Sequence, residues 1–289
     1  MFQYVFGKSL EVKSGLKTHF DCQIYAKNYS GLLPETIREY ALGSLNTFVL
    51  KSPLGIEKEY GLNFSLHQNS LVKTTRKLRK KISYPKSYIQ ERGFAFQPEV
   101  YQELNQGRYY MGYWQSPHYF MLEKSQIFSE FTPKLPLNSA AVELKKQISY
   151  NRGICLNVRR GDYLSNRRAM DFHGLLDKEY YLNALEVLRS KTDFSHVYIF
   201  SDDPVWCSEN LKQDNLTFVV PHTFAGPHFV HYMELMKSCS AFAIPNSTFG
   251  WWAAYLSGVD GSKIVSPIKW FTDPLIDTSD LIPLSWTRI

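Results

Sequence analysis

Short apolar runs alternate with amphipathic segments from residue 153 to the end of the chain. This alternation constrains the fold more than any other feature of the sequence. The apolar runs predict five buried strands: 153–158, 196–200, 216–220, 241–245 and 263–266. The segments between and beside them predict four helices: 179–190, 204–211, 231–237 and 248–257. Strands separated by helices are typical of a parallel sheet wound in the Rossmann manner, so this half is predicted to be an α/β domain.

The first half of the chain is less regular. Apolar residues near helical spacing predict a helix over residues 1–13, and weaker patterns predict helices over 36–45 and 119–131. The proline-rich stretch 132–136 is the clearest linker signal. With 289 residues, the chain suits one large domain or two of ordinary size. We therefore predict two domains, residues 1–135 and 136–289.

The charge balance limits the classes of ligand. A net charge of +6 suits an enzyme that handles an anionic nucleotide, whereas the absence of an aromatic-and-basic recognition motif disfavours nucleic-acid binding. Six Lys and Arg residues cluster within 73–81. A solvated basic face is the simpler interpretation of this cluster. The alternative is attraction to anionic lipid or to a lipid-linked acceptor.

The cysteines and the apolar runs indicate a cytoplasmic protein, in contact at most with the inner face of the membrane. The four cysteines match neither a zinc pattern nor a compact disulfide framework, and three lie in apolar segments, where reduced thiols are expected. The N-terminus lacks the features of a secretory signal, and no apolar run is long enough to span a bilayer.

The first polar cluster that suggests chemistry follows the strand 153–158. In a doubly wound sheet, ligands bind beyond the carboxyl ends of the strands. Arg159 and Arg160 stand at such an end, followed by Gly161 and Asp162. The planar guanidinium donates paired hydrogen bonds to phosphate oxygens. Surface ion pairing is the alternative, but two arginines beside a buried strand favour a phosphate site.

Two further clusters end other strands. Asp202 and Asp203 precede Pro204, so one carboxylate is expected to cap a helix and the other to accept hydrogen bonds from a nucleoside. Ser247 and Thr248 open a helix whose N–H groups and dipole would attract a diphosphate, although capping by Ser247 alone is common. Neither a G-x-G-x-x-G turn nor a P-loop occurs, which disfavours nicotinamide enzymes and P-loop nucleotidases.

These motifs resemble those of the α-1,2-fucosyltransferases of glycosyltransferase family 11. The family pattern is H-x-R-R-G-D-Y, then S-D-D, then N-S-[ST]-[FY]-S-W-W. This sequence has NVRRGDY at 157–163, FSDDP at 200–204 and NSTFGWW at 246–252. His173-Gly174 and the stretch GYWQS at 112–116 also match, and the resemblance covers nearly the whole chain.

The resemblance implies a GT-B-like fold of two Rossmann-like domains that face each other across a cleft, with the acceptor on the first domain and the donor on the second. It also implies GDP-fucose as donor, a galactose-terminated acceptor, inversion at the sugar carbon and no metal or other cofactor. The expected donor-binding residues are Asn157, Arg160, Asp202, Asp203, Asn246, Ser247, Thr248 and Phe249. Of these, Ser247, Thr248 and Phe249 would surround the diphosphate and the aspartates would lie near guanosine.

For catalysis, the resemblance implies that Arg159 contacts the β-phosphate. Asp162 is the candidate base, with orientation of an arginine as its alternative role. His173 is either an acceptor contact or a structural residue. Trp114 and Tyr113 are candidates to stack on sugar rings, although core packing is expected for at least one ring of this stretch.

The sequence departs from the family pattern in three places. Asn157 replaces a histidine at a position that meets the guanine base in relatives, and Gly250 replaces a serine, a change expected to be minor. The chain begins at Met1-Phe2-Gln3-Tyr4, whereas family members place a strand and a G-G-L-G-N-Q loop before it. The first domain is therefore expected to lack that strand. A non-catalytic GDP- or glycan-binding homologue is the alternative to an active transferase.

Overall fold

The computed structural model describes residues 1–25, 40–53, 88–102, 104, 107–212 and 214–289. The basic cluster at 73–81 lies outside these residues, so its proposed contact with lipid stays a prediction. Most of the helix predicted at 36–45 lies outside them too; the described part holds a single 3-10 turn, Ala41–Ser44.

The chain divides into two compact units. The first comprises residues 1–43 and 47–127, and the second comprises 44–46 and 128–289. The chain therefore passes from one unit to the other at residue 128, within helix α2 (Lys124–Glu130). The acceptor and donor roles assigned to the two predicted domains stay predictions.

The first unit is built on helix α1 (Phe2–Ser14), which closely matches the predicted helix. It ends at Gly15, whose φ of 72° is the left-handed conformation that glycine tolerates best. The buried face of α1 packs on an aromatic core that includes Trp114 and Tyr119. Beside it, strand β1 (Tyr88–Gln90) pairs in parallel with β2 (Tyr109–Met111). The helix predicted over 119–131 is shorter, because residues 117–119 form a 3-10 turn.

The second unit contains the predicted alternation of strands and helices. Its strands are β3 (Ile154–Val158), β4 (Val197–Ser201), β5 (Thr217–Val219), β6 (Ala241–Ala243), β7 (Ile264–Ser266) and β8 (Thr287–Arg288). Its helices are α3 (Ser139–Tyr150), α4 (Gly161–Ser165), α5 (Arg167–His173), α6 (Lys178–Arg189), α7 (Pro204–Asn210), α8 (Val230–Met236) and α9 (Thr248–Ser257). Helices α3, α4 and α5 and strand β8 were not predicted.

The six strands of the second unit form one sheet in the order β5-β4-β3-β6-β7-β8, and every pair is parallel. The chain builds outward from β3 to β5 and then returns to the other side of β3 with β6. This return creates a topological switch point between β3 and β6, which is where doubly wound sheets bind ligands. The mixed α/β architecture with parallel strands confirms the expected fold class and is consistent with a GT-B-like fold.

The core of the second unit is apolar on both faces of the sheet. All five residues of β3 and all five of β4 are buried. Helix α6 packs Tyr181, Leu185 and Leu188 on one face, and α9 buries Trp251 and Trp252. Cys155, Cys207 and Cys239 are buried free thiols, as expected.

Two absences concern the described residues alone. No helix among them combines the length and the apolar character needed to cross a bilayer. Nor do they contain a group of three or more His, Cys, Asp or Glu side chains arranged to hold a metal ion.

Candidate functional site

The two strongest motifs of the sequence lie on either side of the switch point. Arg159 directly follows β3, and Ser247 lies in the turn between β6 and α9. Because β3 and β6 are neighbouring parallel strands, their carboxyl ends meet at the same edge of the sheet. The aspartates at 202–203 end the other neighbour, β4, where Val158 pairs with Ser201. The sheet therefore brings all three polar clusters to one edge, as the sequence predicted.

Arg159 is paired with Asp202 in this structure. One guanidinium nitrogen lies 3.0 Å from Asp202 Oδ2, an ion pair without the direction of a hydrogen bond. The other oxygen, Oδ1, accepts the backbone N–H of Arg160 at 2.8 Å. Asp202 is 14% exposed and Arg159 is 36% exposed. Asp202 thus holds the turn after β3 and orients a guanidinium that remains accessible to a ligand.

Arg160 occupies a different environment. Its side chain is 12% exposed, its Nε lies 3.4 Å from Asp203 Oδ2, and its guanidinium carbon lies 3.8 Å from the centre of the Trp206 ring. Burial against an indole and a carboxylate is a packing role. Both arginines are therefore paired with carboxylates, Arg159 in a partly exposed pair and Arg160 in a more buried one, and a donor contact of Arg160 stays a prediction.

Asp203 caps helix α7. Its Oδ1 accepts the N–H of Trp206 at 3.2 Å, and Pro204 occupies the first helical position. This confirms the capping role expected for one aspartate of the pair. The nucleoside contact expected for the other stays a prediction, and the contacts of Asp202 are with the arginine turn.

Helix α9 begins at the switch point with its first-turn N–H groups directed toward the ligand-binding edge. Ser247 is its N-cap residue, as predicted, but the serine side chain makes no capping hydrogen bond. Ser247, Thr248 and Phe249 are all half-buried. Their contacts with a diphosphate stay predictions.

Asn246 ties the turn before α9 to the rest of the unit. Its Nδ2 donates to the carbonyl oxygens of His173 at 2.6 Å and Trp270 at 3.2 Å, and the side chain is buried. This amide is a structural tie in the present state.

Two tyrosines that sequence analysis missed hold the same turn. The hydroxyl of Tyr163 donates to the carbonyl of Asn246 at 3.1 Å, and that of Tyr180 donates to the carbonyl of Ile244 at 2.5 Å. Burial raises the pKa of the Tyr180 phenol well above its ordinary value, so it remains a donor. Tyr163 lies within the motif at 157–163, and that position is the one signal that pointed to it.

Asn157 is buried beneath the switch point. Its Nδ2 donates to the carbonyl of Phe200 at 2.9 Å, while its Oδ1 is buried and has no hydrogen-bond partner among the described residues. A Cβ on Gly250 would lie 2.5 Å from this oxygen. Gly250 and Asn157, the two residues at which these motifs depart from the family pattern, are therefore in tight contact with each other.

The remaining candidates have mixed outcomes. His173 ends α5 and stacks on Tyr163 with ring centres 5.1 Å apart, so it supports the donor-side turn; its acceptor contact stays a prediction. Asp162 lies in α4, and its side chain is outside the described residues.

In the first unit, Trp114 is 2% exposed and belongs to the core, which corrects its placement as a sugar-stacking surface. Tyr113 is 63% exposed.

The chain is similar to known glycosyltransferases. The model of "Glycosyl transferase family 11" matches residues 2–289. An alpha-1,2-colitosyltransferase of Escherichia coli is 28% identical over all of this chain and 94% of its own length. The O-antigen biosynthesis glycosyltransferase WbnK of Escherichia coli is 33% identical over 48% of each chain.

Human galactoside alpha-(1,2)-fucosyltransferase 1 is 29% identical over 47% of this chain and 40% of its own length. No solved structure gives a significant match. Because the family model covers nearly every residue, the chain belongs to glycosyltransferase family 11.

Proposed function

We propose that this protein transfers L-fucose from GDP-fucose to the 2-hydroxyl of a terminal β-galactoside, with inversion at the anomeric carbon and without a metal ion. One observation carries the proposal: Arg159 and the first turn of α9 flank the switch point of a parallel sheet. An anionic diphosphate is the ligand that this pair of groups would favour.

The chemistry requires stabilisation of the leaving group. The acceptor oxygen forms a bond to the anomeric carbon while the bond from that carbon to GDP breaks, and GDP leaves with the electron pair. Negative charge therefore builds on the β-phosphate. A guanidinium held in place by Asp202 and the dipole of α9 would stabilise this charge. Both groups are already in position, so no rearrangement of the protein is needed as the charge develops.

The acceptor hydroxyl must lose its proton in the same step. Asp162 lies three residues after Arg159 and is our candidate base. The alternative is that Asp162 orients an arginine. Asp162→Asn should slow transfer in either case. If Asp162 is the base, the substitution should also change the pH profile of the rate. If it orients an arginine, the substitution should also weaken GDP binding.

A colitosyl donor is the second candidate. One relative that matches over the whole chain is named as a colitosyltransferase, whereas the human fucosyltransferase matches over 47% of it. Colitose is fucose without its 3-hydroxyl, so the same diphosphate site would serve both donors. A comparison of kcat/KM for GDP-fucose and GDP-colitose decides between them.

The nucleotide class is tested by thermal shift with GDP, UDP and NAD. We expect GDP alone to raise Tm. Stabilisation by UDP or NAD with none by GDP contradicts the proposal. GDP binding without turnover on either sugar donor, in the presence of β-galactosides, supports the non-catalytic binder.

Arg159→Ala is the decisive variant, and Arg167→Ala is its matched control, since the Arg167 side chain is 94% exposed. We expect the first to lose transfer on the order of 10²–10³-fold and the second to be unchanged. Both assays are run in EDTA. A strict need for added Mn²⁺ or Mg²⁺ contradicts the metal-independent mechanism.

A further inference from the structure

The turn after β2 presents one aromatic ring to solvent and buries the next. Tyr113 is 63% exposed, whereas Trp114 is 2% exposed and stacks on Phe6 with ring centres 4.3 Å apart. Trp114 has a φ of 55°, an uncommon conformation for a bulky residue. Such a conformation persists when its surroundings hold it in place.

Glu91, the residue after β1, supplies that restraint. Its Oε2 accepts the N–H of Tyr113 at 2.7 Å and its Oε1 accepts the N–H of Trp114 at 3.0 Å. Both oxygens of one carboxylate are therefore spent on the backbone of this turn. Charged acceptors make stronger hydrogen bonds than neutral ones, so the arrangement is stiff.

Gly112 makes the approach of Glu91 possible. A Cβ at this position would lie 2.5 Å from the Cβ of Glu91, closer than real Cβ contacts allow. Gln3 holds the other side of the turn, because its Nε2 donates to the carbonyl of Gly112 at 2.7 Å. The turn is thus fastened from α1 and from β1.

The electrostatics of Glu91 agree with this role. Burial raises the pKa of its carboxyl, while hydrogen bonds from the backbone N–H groups of residues 113–115 favour the ionised form. Both oxygens of this partly buried carboxylate accept hydrogen bonds from one turn, so the role of Glu91 is to hold that turn.

We propose that Glu91 is a positioning residue that holds the Tyr113 ring ready to stack on the apolar face of the acceptor sugar. This inference rests on the proposed function, since it takes a galactoside as the acceptor. An aromatic ring on a rigid turn offers a large contact surface, and the backbone that carries it needs no ordering on binding.

Steady-state kinetics with a varied β-galactoside test the proposal. Glu91→Gln keeps the size of the side chain but replaces one accepting oxygen with a donor that opposes the N–H groups. We expect the acceptor KM to rise about tenfold, with little change in kcat and in the Tm shift given by GDP. Tyr113→Ala should give the same pattern, and Tyr113→Phe should resemble the parent.

The double variant Glu91→Gln/Tyr113→Ala provides the sharper readout. If Glu91 acts through Tyr113, the acceptor KM of the double variant equals that of Tyr113→Ala. Additive effects, or an unchanged KM in Glu91→Gln, overturn the proposal. Glu99→Gln is the control, because Glu99 is an exposed carboxylate of the same unit.

Backbone hydrogen exchange separates this inference from the proposed function. We expect the amides of residues 113 and 114 to exchange faster in Glu91→Gln than in the parent and in Glu99→Gln. Unchanged exchange refutes the restraint even if transfer is observed. Faster exchange in a protein that transfers no sugar locates the failure in the proposed function. Glu91→Asp, with a shorter carboxylate, replaces Glu91→Gln if that variant does not fold.

Discussion

The amide oxygen of Asn157 lies against the backbone of Gly250, at a point where a Cβ on residue 250 would be only 2.5 Å away. Asn157 belongs to β3 and Gly250 to the first turn of α9. The absence of a side chain at residue 250 therefore lets the start of α9 approach the strand. This contact fixes how closely the N-terminus of α9 approaches the switch point.

Gly250→Ala is expected to lower the free energy of unfolding. The new Cβ would also lie 3.3 Å from Ile244 Cβ, so the site cannot relax freely. Overpacking costs about 1–3 kcal/mol, which outweighs the ~1 kcal/mol that alanine gains in helix propensity. Denaturant titration measures the loss, and we expect the Tm shift given by GDP to shrink with it.

The control for this prediction is Gly43→Ala, whose Cβ would make only ordinary contact, 3.7 Å from the Tyr40 ring. Combination with Asn157→Ala should recover part of the loss, since it removes the nearest atom. Equal stability of Gly250→Ala and the parent protein would contradict the contact.

The two adjacent arginines should separate in their effects. Arg159→Ala is expected to lower transfer on the order of 10²–10³-fold while changing the free energy of unfolding by less than about 1 kcal/mol, because its ion pair is partly exposed. Arg160→Ala removes a buried stack on Trp206 and should cost about 1–2 kcal/mol while retaining measurable transfer. Denaturant titration and initial rates on both variants check this, and the reverse pattern would refute the assignment.

Asp203 should matter first as a helix cap. Asp203→Ala is expected to cost about 1 kcal/mol of stability, while Asp203→Asn should cost less, since asparagine caps equally well. The Asn variant still loses the charge that faces Arg160. Urea denaturation of the two variants compares them directly; equal losses would show that the charge, and not the cap, is what stabilises α7.

Acid stability should depend on Glu234, which joins α8 to α3. Burial alone would raise the pKa of this carboxyl, but hydrogen bonds from Lys145 and Lys237 lower it below its ordinary value of 4.5. A carboxyl with a lowered pKa stabilises the folded state above its unfolded pKa, and this contribution is lost as pH falls through the folded pKa. The free energy of unfolding should therefore fall more steeply below about pH 5 in the parent than in Glu234→Gln.

Glu143→Gln is the control for this titration, because the Glu143 side chain is 61% exposed and lies 3.6 Å from Lys146 in a surface pair. It should follow the pH dependence of the parent. Identical slopes for Glu234→Gln and the parent would show that this ion pair contributes nothing to acid stability.

Local patterns predicted much of the second unit. The buried runs that became β3 and β4 and the amphipathic run that became α6 were found within a few residues, because hydrophobic periodicity is a property of consecutive residues. Helix α3 was missed, although Asn138 is an effective N-cap that accepts the N–H of Ala141. Helices α4 and α5 are short and have few buried residues, so they carry little periodic signal.

The polar clusters at the strand ends and the capping by Asp203 also followed from the sequence alone. Each depends on residues adjacent in the chain and on the rule that parallel strands present their carboxyl ends together. Only the tertiary structure distinguished Arg159 from Arg160. Strand β4 lies beside β3, and this pairing places Asp202 against Arg159 and Asp203 against Arg160. The same holds for Asn157 and Gly250, and for Glu91 and Tyr113. These pairs are distant in sequence, and strand order and helix approach bring them within contact distance.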